Sequence, residues 1–237
     1  ARPRGWYLRT AQTRCLRRGA GRCYAIHGDH RYHAIFGNQA CAVVHPSTTA
    51  TALVALDAAV ELANPEGAAR RVRLEDFFVP TERDLQREND LRPQEILVAI
   101  ELPPPGQGAR MAHGTIAQKD AFDWPLVDAA AVIEFAADGA CRRAAIVLGG
   151  VAATPWRARA AEEELAGRRI DADAAARAGR AAPRGAATWR TWMLGSQGEF
   201  QGSASIHFLA NSRSSHSARN RAGCRGDPPR AFSARTA

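Results

Sequence analysis

Residues 127–150 read VDAAAVIEFAADGACRRAAIVLGG, and this stretch decides the fold. Val127 to Phe135 is an apolar run, β-rich at its end. Ala137-Asp138-Gly139 is a hairpin turn, Ala144 to Leu148 is the returning strand, and Gly149-Gly150 closes the unit. Upstream, Ile96, Val98, Ile100 and Leu102 alternate over 95–102, a half-buried strand stopped by Pro103-Pro104-Pro105. Residues 111–119 form a further strand. Downstream, Pro155-Trp156 opens a helix that runs to Gly167, and 171–182 forms a second, Ala-rich helix. Strands near 95–102, 111–119, 127–136 and 142–149 are therefore expected in one antiparallel sheet, covered by helices at 156–166 and 171–182. Hairpins and helices in this order define an α+β fold.

Before that unit, Ser47 or Thr48 caps a helix in which Ala52, Leu53, Leu56, Ala59 and Val60 recur at helical spacing. Residues 60–74 read as a hairpin around the turn Asn64-Pro65-Glu66-Gly67, and Glu75 to Phe78 as a helical turn ended by Pro80. Residues 1–47 are rich in Gly, Arg, Cys and His and show little periodicity, so something other than a core holds them. From Pro183 the pattern collapses, and 183–237 reads as disordered or as sequence from a shifted reading frame.

The chain has 237 residues, 46% of them apolar, enough to bury a sizeable core. This excludes a collagen, a wholly disordered chain and a disulfide mini-protein. Its longest apolar stretches fall short of the ~20 residues of a membrane span. The formal net charge is +8, of which residues 183–237 supply +6 through eight Arg against Glu199 and Asp227. The bases are scattered and Lys119 is the single lysine, so no nucleic-acid partner is expected. No P-loop, G-x-S-x-G or H-E-x-x-H motif is present. The sequence does not open on Met and carries no signal pattern at its start, and a start within a longer subunit is expected.

Three of the five cysteines, Cys15, Cys23 and Cys41, fall within the first 41 residues. Their spacing is too wide for the paired C-x2-C units of a zinc ribbon. Three readings stay open on spacing alone: buried free thiols, iron–sulfur ligands, or a zinc site of two cysteines with His27 or His33. Val44-His45-Pro46-Ser47-Thr48 leads into the first good helix, whose start could hold a phosphate or ribityl oxygen or be an ordinary cap. Lys119 and Asp123 are spaced as a surface pair within a loop, with Phe122 and Trp124 turned inward.

Taken in order, several segments resemble the flavin (medium) subunit of the xanthine dehydrogenase-type molybdenum hydroxylases. They are Arg14 to Gly19, Gly21 to Ile26, Tyr32 to Gly37, Val44 to Ser47, Pro93 to Leu97, Phe122 to Val127, Leu148 to Ala152 and Pro155 to Arg157. The resemblance covers residues 1 to about 182. It implies the C-terminal part of a two-lobe FAD-binding domain, followed by an antiparallel sheet with covering helices. The divisions it suggests are a partial flavin lobe with a cysteine loop over 1–80, a flavoprotein C-terminal domain over 81–182, and the tail 183–237. The family's Gly-rich pyrophosphate loops would precede residue 1.

The resemblance also implies residue roles. The family's acidic residue after H-P-S falls on Thr48, its aliphatic residue on the flavin ring on Leu97, and its lysine on Thr115, with Lys119 four residues on. A branch similar to the bacterial aldehyde oxidoreductases carries a four-cysteine loop holding a [4Fe-4S] cluster. Cys15, Cys23 and Cys41 fall on three of those positions and Gly5 on the fourth, which leaves one iron open to a ligand such as His27, His30 or His33. The implied function is electron transfer through FAD, with a molybdopterin-binding large subunit and a [2Fe-2S] small subunit as partners. The implied compartment is the cytoplasm, or the periplasm by co-export with a partner. This chain holds no acid–base pair or nucleophile for substrate chemistry. The other classes kept in view are a non-catalytic remnant that folds without cofactor, and a zinc-binding module.

Overall fold

The computed structural model describes residues 6–19, 21, 23, 25, 30–106, 108–119 and 124–187. The expectations for Gly5, His27, Asp123 and the tail beyond Ala187 lie outside the described residues. The elements run α1 (Trp6–Arg9), α2 (Thr48–Ala55), β1 (Ala59–Ala63), β2 (Ala69–Arg73), α3 (Leu74–Phe77), β3 (Ile96–Glu101), β4 (Arg110–Ala117), β5 (Pro125–Phe135), β6 (Cys141–Gly149), β7 (Trp156–Arg157), α4 (Arg159–Leu165) and α5 (Ala172–Ala181). This is the expected α+β mixture of helices and antiparallel strands.

Two antiparallel sheets form, ordered β2-β1-β3 and β4-β5-β6-β7. The second is the middle layer of the molecule. Side chains alternate along a strand with period two, and both faces of β5 and β6 are used. Val127, Ala129, Ile146 and Leu148 pack with Ala161 and Leu165 of α4 and Ala174 and Ala178 of α5. Ala130, Val132, Ala145 and Val147 face the other way, onto Val54 and Ala55 of α2, Val60 and Leu62 of β1, and Phe77 of α3. Burial on both faces is why the 127–135 run is nearly all apolar instead of alternating. The small alanines let helices approach both sides closely.

Local chemistry sets the ends of the elements. The Ser47 hydroxyl accepts from Ala50 N at 3.2 Å and caps α2, and the Asp171 carboxylate accepts from Ala174 N at 2.7 Å and caps α5. The β5–β6 turn is held by Asp138, whose Oδ1 accepts from Ala140 N at 2.9 Å, and by Gly139 at φ +80°.

Two expectations are corrected. The strand at 95–102 does not join the C-terminal sheet: β3 pairs with β1, opposing Val60 to Ile100 and Ala59 to Glu101. Arg70 on β2 fixes this arrangement, with Nε and Nη2 each 2.8 Å from Glu95 and Nη1 2.9 Å from Asp90. Nor does Trp156 begin a helix. Trp156 and Arg157 pair with Leu148 and Val147, the Trp156 ring stacks on Phe36 at 4.5 Å, and α4 begins only at Arg159.

Gln94, before β3, holds φ +70°, a conformation that costs a non-glycine residue about 1–2 kcal/mol. Gln94→Gly is expected to raise stability by up to about 1 kcal/mol, since glycine's freedom in the unfolded chain offsets part of the relief. Urea unfolding of the two proteins checks this, and a lower midpoint for the variant would contradict it.

Candidate functional site

The segment 34–47 crosses the turn after β6 and delivers the chain to α2. Ile35 N donates to Val151 O at 2.8 Å and His45 N to Ala152 O at 2.7 Å. Asn38, fully buried, donates through Nδ2 to Ala34 O and Ala187 O. Pro46 and Ser47 then end the extended run and cap α2, so Thr48 stands half-buried at its first turn.

His45 is buried, and neither ring nitrogen has a hydrogen-bond partner among the described residues. Its ring packs edge-on against Phe78, 4.7 Å between centroids. Burial pushes its pKa down to about 4, so the imidazole is neutral near pH 7.

One turn beyond Thr48, Thr51 lies against the second sheet. There it meets Asp128 of β5, which is only 2% exposed. The Asp128 Oδ2 has no well-directed hydrogen bond and stands 3.5 Å from His113 Nε2 on β4. Burial raises the Asp128 pKa, while the Thr51 hydroxyl and the His113 ring lower it in part. Thr115 is the direct cross-strand partner of Asp128. Gly149 on β6 completes the wall, because a Cβ there would fall on the Asp128 carboxylate and the Thr51 hydroxyl. Gly149 thus does more than close a turn: it makes room for a buried acid. Gly150, at φ +74°, does the turning.

The sites expected from sequence divide accordingly. Thr48 is the first residue of α2, one turn before Thr51, and Thr115 stands opposite Asp128 on β4. Leu97 is on β3, in the other sheet, among the exposed apolar residues Ile96, Val98, Ile100 and Leu102. Lys119 lies beyond the end of β4 and is exposed. Thr51, His113 and Asp128 were not singled out from sequence, and His45 only as part of the motif that leads into α2. The signal for Asp128 is its place as an acid inside the apolar run of β5.

The cysteines occupy a separate corner. Cys15 is buried, and Cys23 and Cys41 are half-buried. Cys23 joins Ala25 and Ala42 in a small cluster apart from the main core. Burial raises the Cys23 and Cys41 pKa values, and charge on Cys15 raises both further, so the three thiols are electrostatic neighbours. Arg17 acts against this on Cys41. Its guanidinium is buried, donating to Leu85 O at 2.7 Å and pairing with Glu88 at 3.0 Å. That pair ties the cysteine segment to the loop before β3. His30 and His33 bring their Nδ1 atoms to 3.1 Å. Among the described residues, no three Cys, His, Asp or Glu side chains converge on one ion position.

Two outcomes are expected. Gly149→Ala should destabilise by about 1–3 kcal/mol, because neither the buried carboxylate nor the helix behind Thr51 can yield freely. Chemical denaturation measures this, and an unchanged midpoint would refute it. For His45, the folded pKa lies below the ordinary imidazole value, so its contribution to stability is full above pH ~6.5 and is lost as pH falls toward 4. That loss is on the order of 3 kcal/mol. His45→Phe should lose less stability than the native chain over that window, as thermal melts across pH would show.

The chain is similar to known proteins across both halves. Residues 27–105 match the family model for the FAD binding domain in molybdopterin dehydrogenase, and residues 113–198 match that for the CO dehydrogenase flavoprotein C-terminal domain. The aldehyde oxidoreductase FAD-binding subunit PaoB of Escherichia coli is 40% identical over 148 residues, which is 62% of this chain and 44% of that protein. A reconstituted CO dehydrogenase from Oligotropha carboxidovorans is 29% identical, with a TM-score of 0.50 over 72% of this chain and 56% of that one. A carbon monoxide dehydrogenase from Hydrogenophaga pseudoflava, 24% identical, shares the fold with a TM-score of 0.54 over 86% of this chain and 63% of that one. The chain thus spans about half the length of the relatives it matches. With two consecutive family domains in order along one fold, the chain belongs to the FAD-binding flavoprotein family of the molybdopterin dehydrogenases.

Proposed function

We propose that this chain is the FAD-holding, electron-relaying part of a molybdenum-containing aldehyde or xanthine dehydrogenase-type oxidoreductase. The observation that carries this reading is the exposed aliphatic strip of β3. Leu97 and its neighbours on β3 offer an exposed aliphatic strip, with Ile96 65% and Leu97 39% exposed, on which a flat ring can pack. Thr48 at the start of α2 and Thr115, opposite Asp128 on β4, would offer hydroxyls as hydrogen-bonding contacts for the cofactor's polar groups. We read these residues as candidates for one side of a flavin site. Lys119, exposed past β4, would supply a positive charge near Thr115.

Bound there, FAD would supply the redox chemistry of accepting and passing on electrons. The chain's own residues would bind and orient it. Leu97 would cover the ring and keep water from it, and the threonine hydroxyls would fix its register. Substrate oxidation belongs, on this reading, to a molybdopterin-binding partner and electron delivery to a [2Fe-2S] partner. On this reading the assembly works in the cytoplasm, or in the periplasm after export with a partner. Among the described residues no helix is long and apolar enough to cross a membrane.

We extend the proposal to a [4Fe-4S] cluster held by Cys15, Cys23 and Cys41, with the fourth position at Gly5 lacking a thiol. Each thiolate of such a cluster binds a different iron, so its ligands stand apart instead of converging on one point. Three partly buried, electrostatically coupled thiols in a segment without its own core support this donor set. The buried Arg17 would offset the negative charge of the thiolates.

Protein purified without air, with its accompanying subunits, should show a flavin absorption band and bound iron. Leu97→Asp should weaken FAD binding by at least about tenfold, since a charge replaces an apolar contact worth more than 1.4 kcal/mol. Cys41→Ser should remove iron and leave flavin. Purified protein lacking flavin would refute the flavin assignment, and one holding flavin without iron would refute the cluster alone.

A further inference from the structure

We propose that Asp57 is the hub of an ionic latch that fastens the two matched regions of the chain to each other, and that salt loosens it.

The local chemistry of Asp57 argues against an aspartate. The residue follows α2 at the place where helices commonly end on glycine. Ala58 N donates to Leu53 O at 3.0 Å and Asp57 N to Val54 O at 3.1 Å, with Asp57 at φ +55°. Glycine takes that left-handed conformation without cost. A carboxylate there also stands at the negative end of the helix dipole. Turn and dipole both disfavour the residue, so its reason lies in what the carboxylate reaches.

It reaches three arginines. Arg143 of β6 pairs with Oδ2, while Arg157 Nη1 of β7 stands 3.8 Å and Arg73 Nη2 of β2 3.9 Å from Oδ1. Asp57 and Arg73 lie in the first matched region, 27–105, and Arg143 and Arg157 in the second, 113–198. Glu75 of α3 repeats the crossing in the same sense, meeting Arg159 at 2.6 Å and Arg157 at 3.6 Å. At this corner acids of the first region thus face bases of the second.

The bases are held from behind. Arg157, 10% exposed, gives Nε and Nη2 to Glu162 at 2.7 and 2.8 Å, which leaves Nη1 for the first region. A guanidinium with so little water around it loses part of its match if the acids opposite move away. Arg143 is backed by Glu134, its cross-strand partner, at 3.3 Å. The Glu134 carboxyl also lies against Gly106, in the segment between the two regions, where a Cβ would come within 2.7 Å of it.

The middle of the joint is apolar, with α2, β1 and α3 packed on β5 and β6. Apolar contact survives salt, whereas charge pairing is screened by it. The corner around Asp57 is therefore the part of the joint that ionic strength can loosen.

The test is a double-mutant cycle on the full chain, with native, Asp57→Asn, Arg143→Gln and the double variant unfolded in urea at about 0.02 M and about 1 M sodium chloride. At low salt Asp57→Asn should raise the unfolding constant at least about fivefold, although asparagine suits the turn and puts no charge against the dipole. The double variant should fall short of the product of the two single effects by about threefold or more. At high salt both effects should shrink toward none. Asp57→Gly takes φ +55° freely and supplies a second cycle with Arg143→Gln should the Asn variant fail to fold. An Asp57→Asn protein as stable as the native one, effects that simply multiply, or differences that persist at high salt would each overturn the latch.

Discussion

The structure depends on one sheet being apolar on both sides. β5 and β6 are the layer against which everything else is stacked, with α4 and α5 on one face and α2, β1 and α3 on the other. This is a demanding constraint on sequence, since successive residues must suit opposite environments with almost no polar position between them. It also fixes where a polar residue becomes conspicuous. The carboxylate of Asp128 interrupts an otherwise dry surface at the edge nearest the first turn of α2, and the fold accommodates it with a missing side chain at Gly149 and a hydroxyl at Thr51.

Around that layer the molecule is pinned by arginines of two kinds. Arg70 and Arg17 each bridge segments far apart in the chain, Arg70 joining β2 to the stretch before β3 and Arg17 joining the cysteine segment to Leu85 and Glu88. The planar guanidinium suits this work because it donates in several directions at once. Arg17 matters more for its burial. A cation with so little solvent around it must be matched, and the match is Glu88 on one side and the thiol-bearing corner on the other. The cysteine segment and the strand that carries Leu97 are thereby coupled through the loop that separates them.

Much of this was legible in the residues. The β5–β6 hairpin, the β1–β2 hairpin and the Ser47 cap were all readable from local chemistry, as was the family resemblance from short motifs in order. What failed was non-local. Strand β3 reads the same whichever sheet it enters, and only its pairing with β1, some forty residues earlier, decides the matter. Trp156 follows a proline and precedes an Ala- and Glu-rich run, which suits a helix start, but its stacking on Phe36 holds it extended. The site was half legible. Thr48, Thr115 and Leu97 came from resemblance, whereas His45, Asp128 and His113 acquire meaning only from burial and from neighbours on other strands. Spacing could say that Cys15, Cys23 and Cys41 were clustered along the chain, but not that they influence one another's charge.

The open side of β3 has a consequence for how such a chain is made. A strand that shows aliphatic groups on both faces and leaves its backbone edge free offers any passing strand a place to pair. Left uncovered, such a strand favours pairing with another copy of itself. Yield of the folded chain should thus depend on how soon that strand is covered.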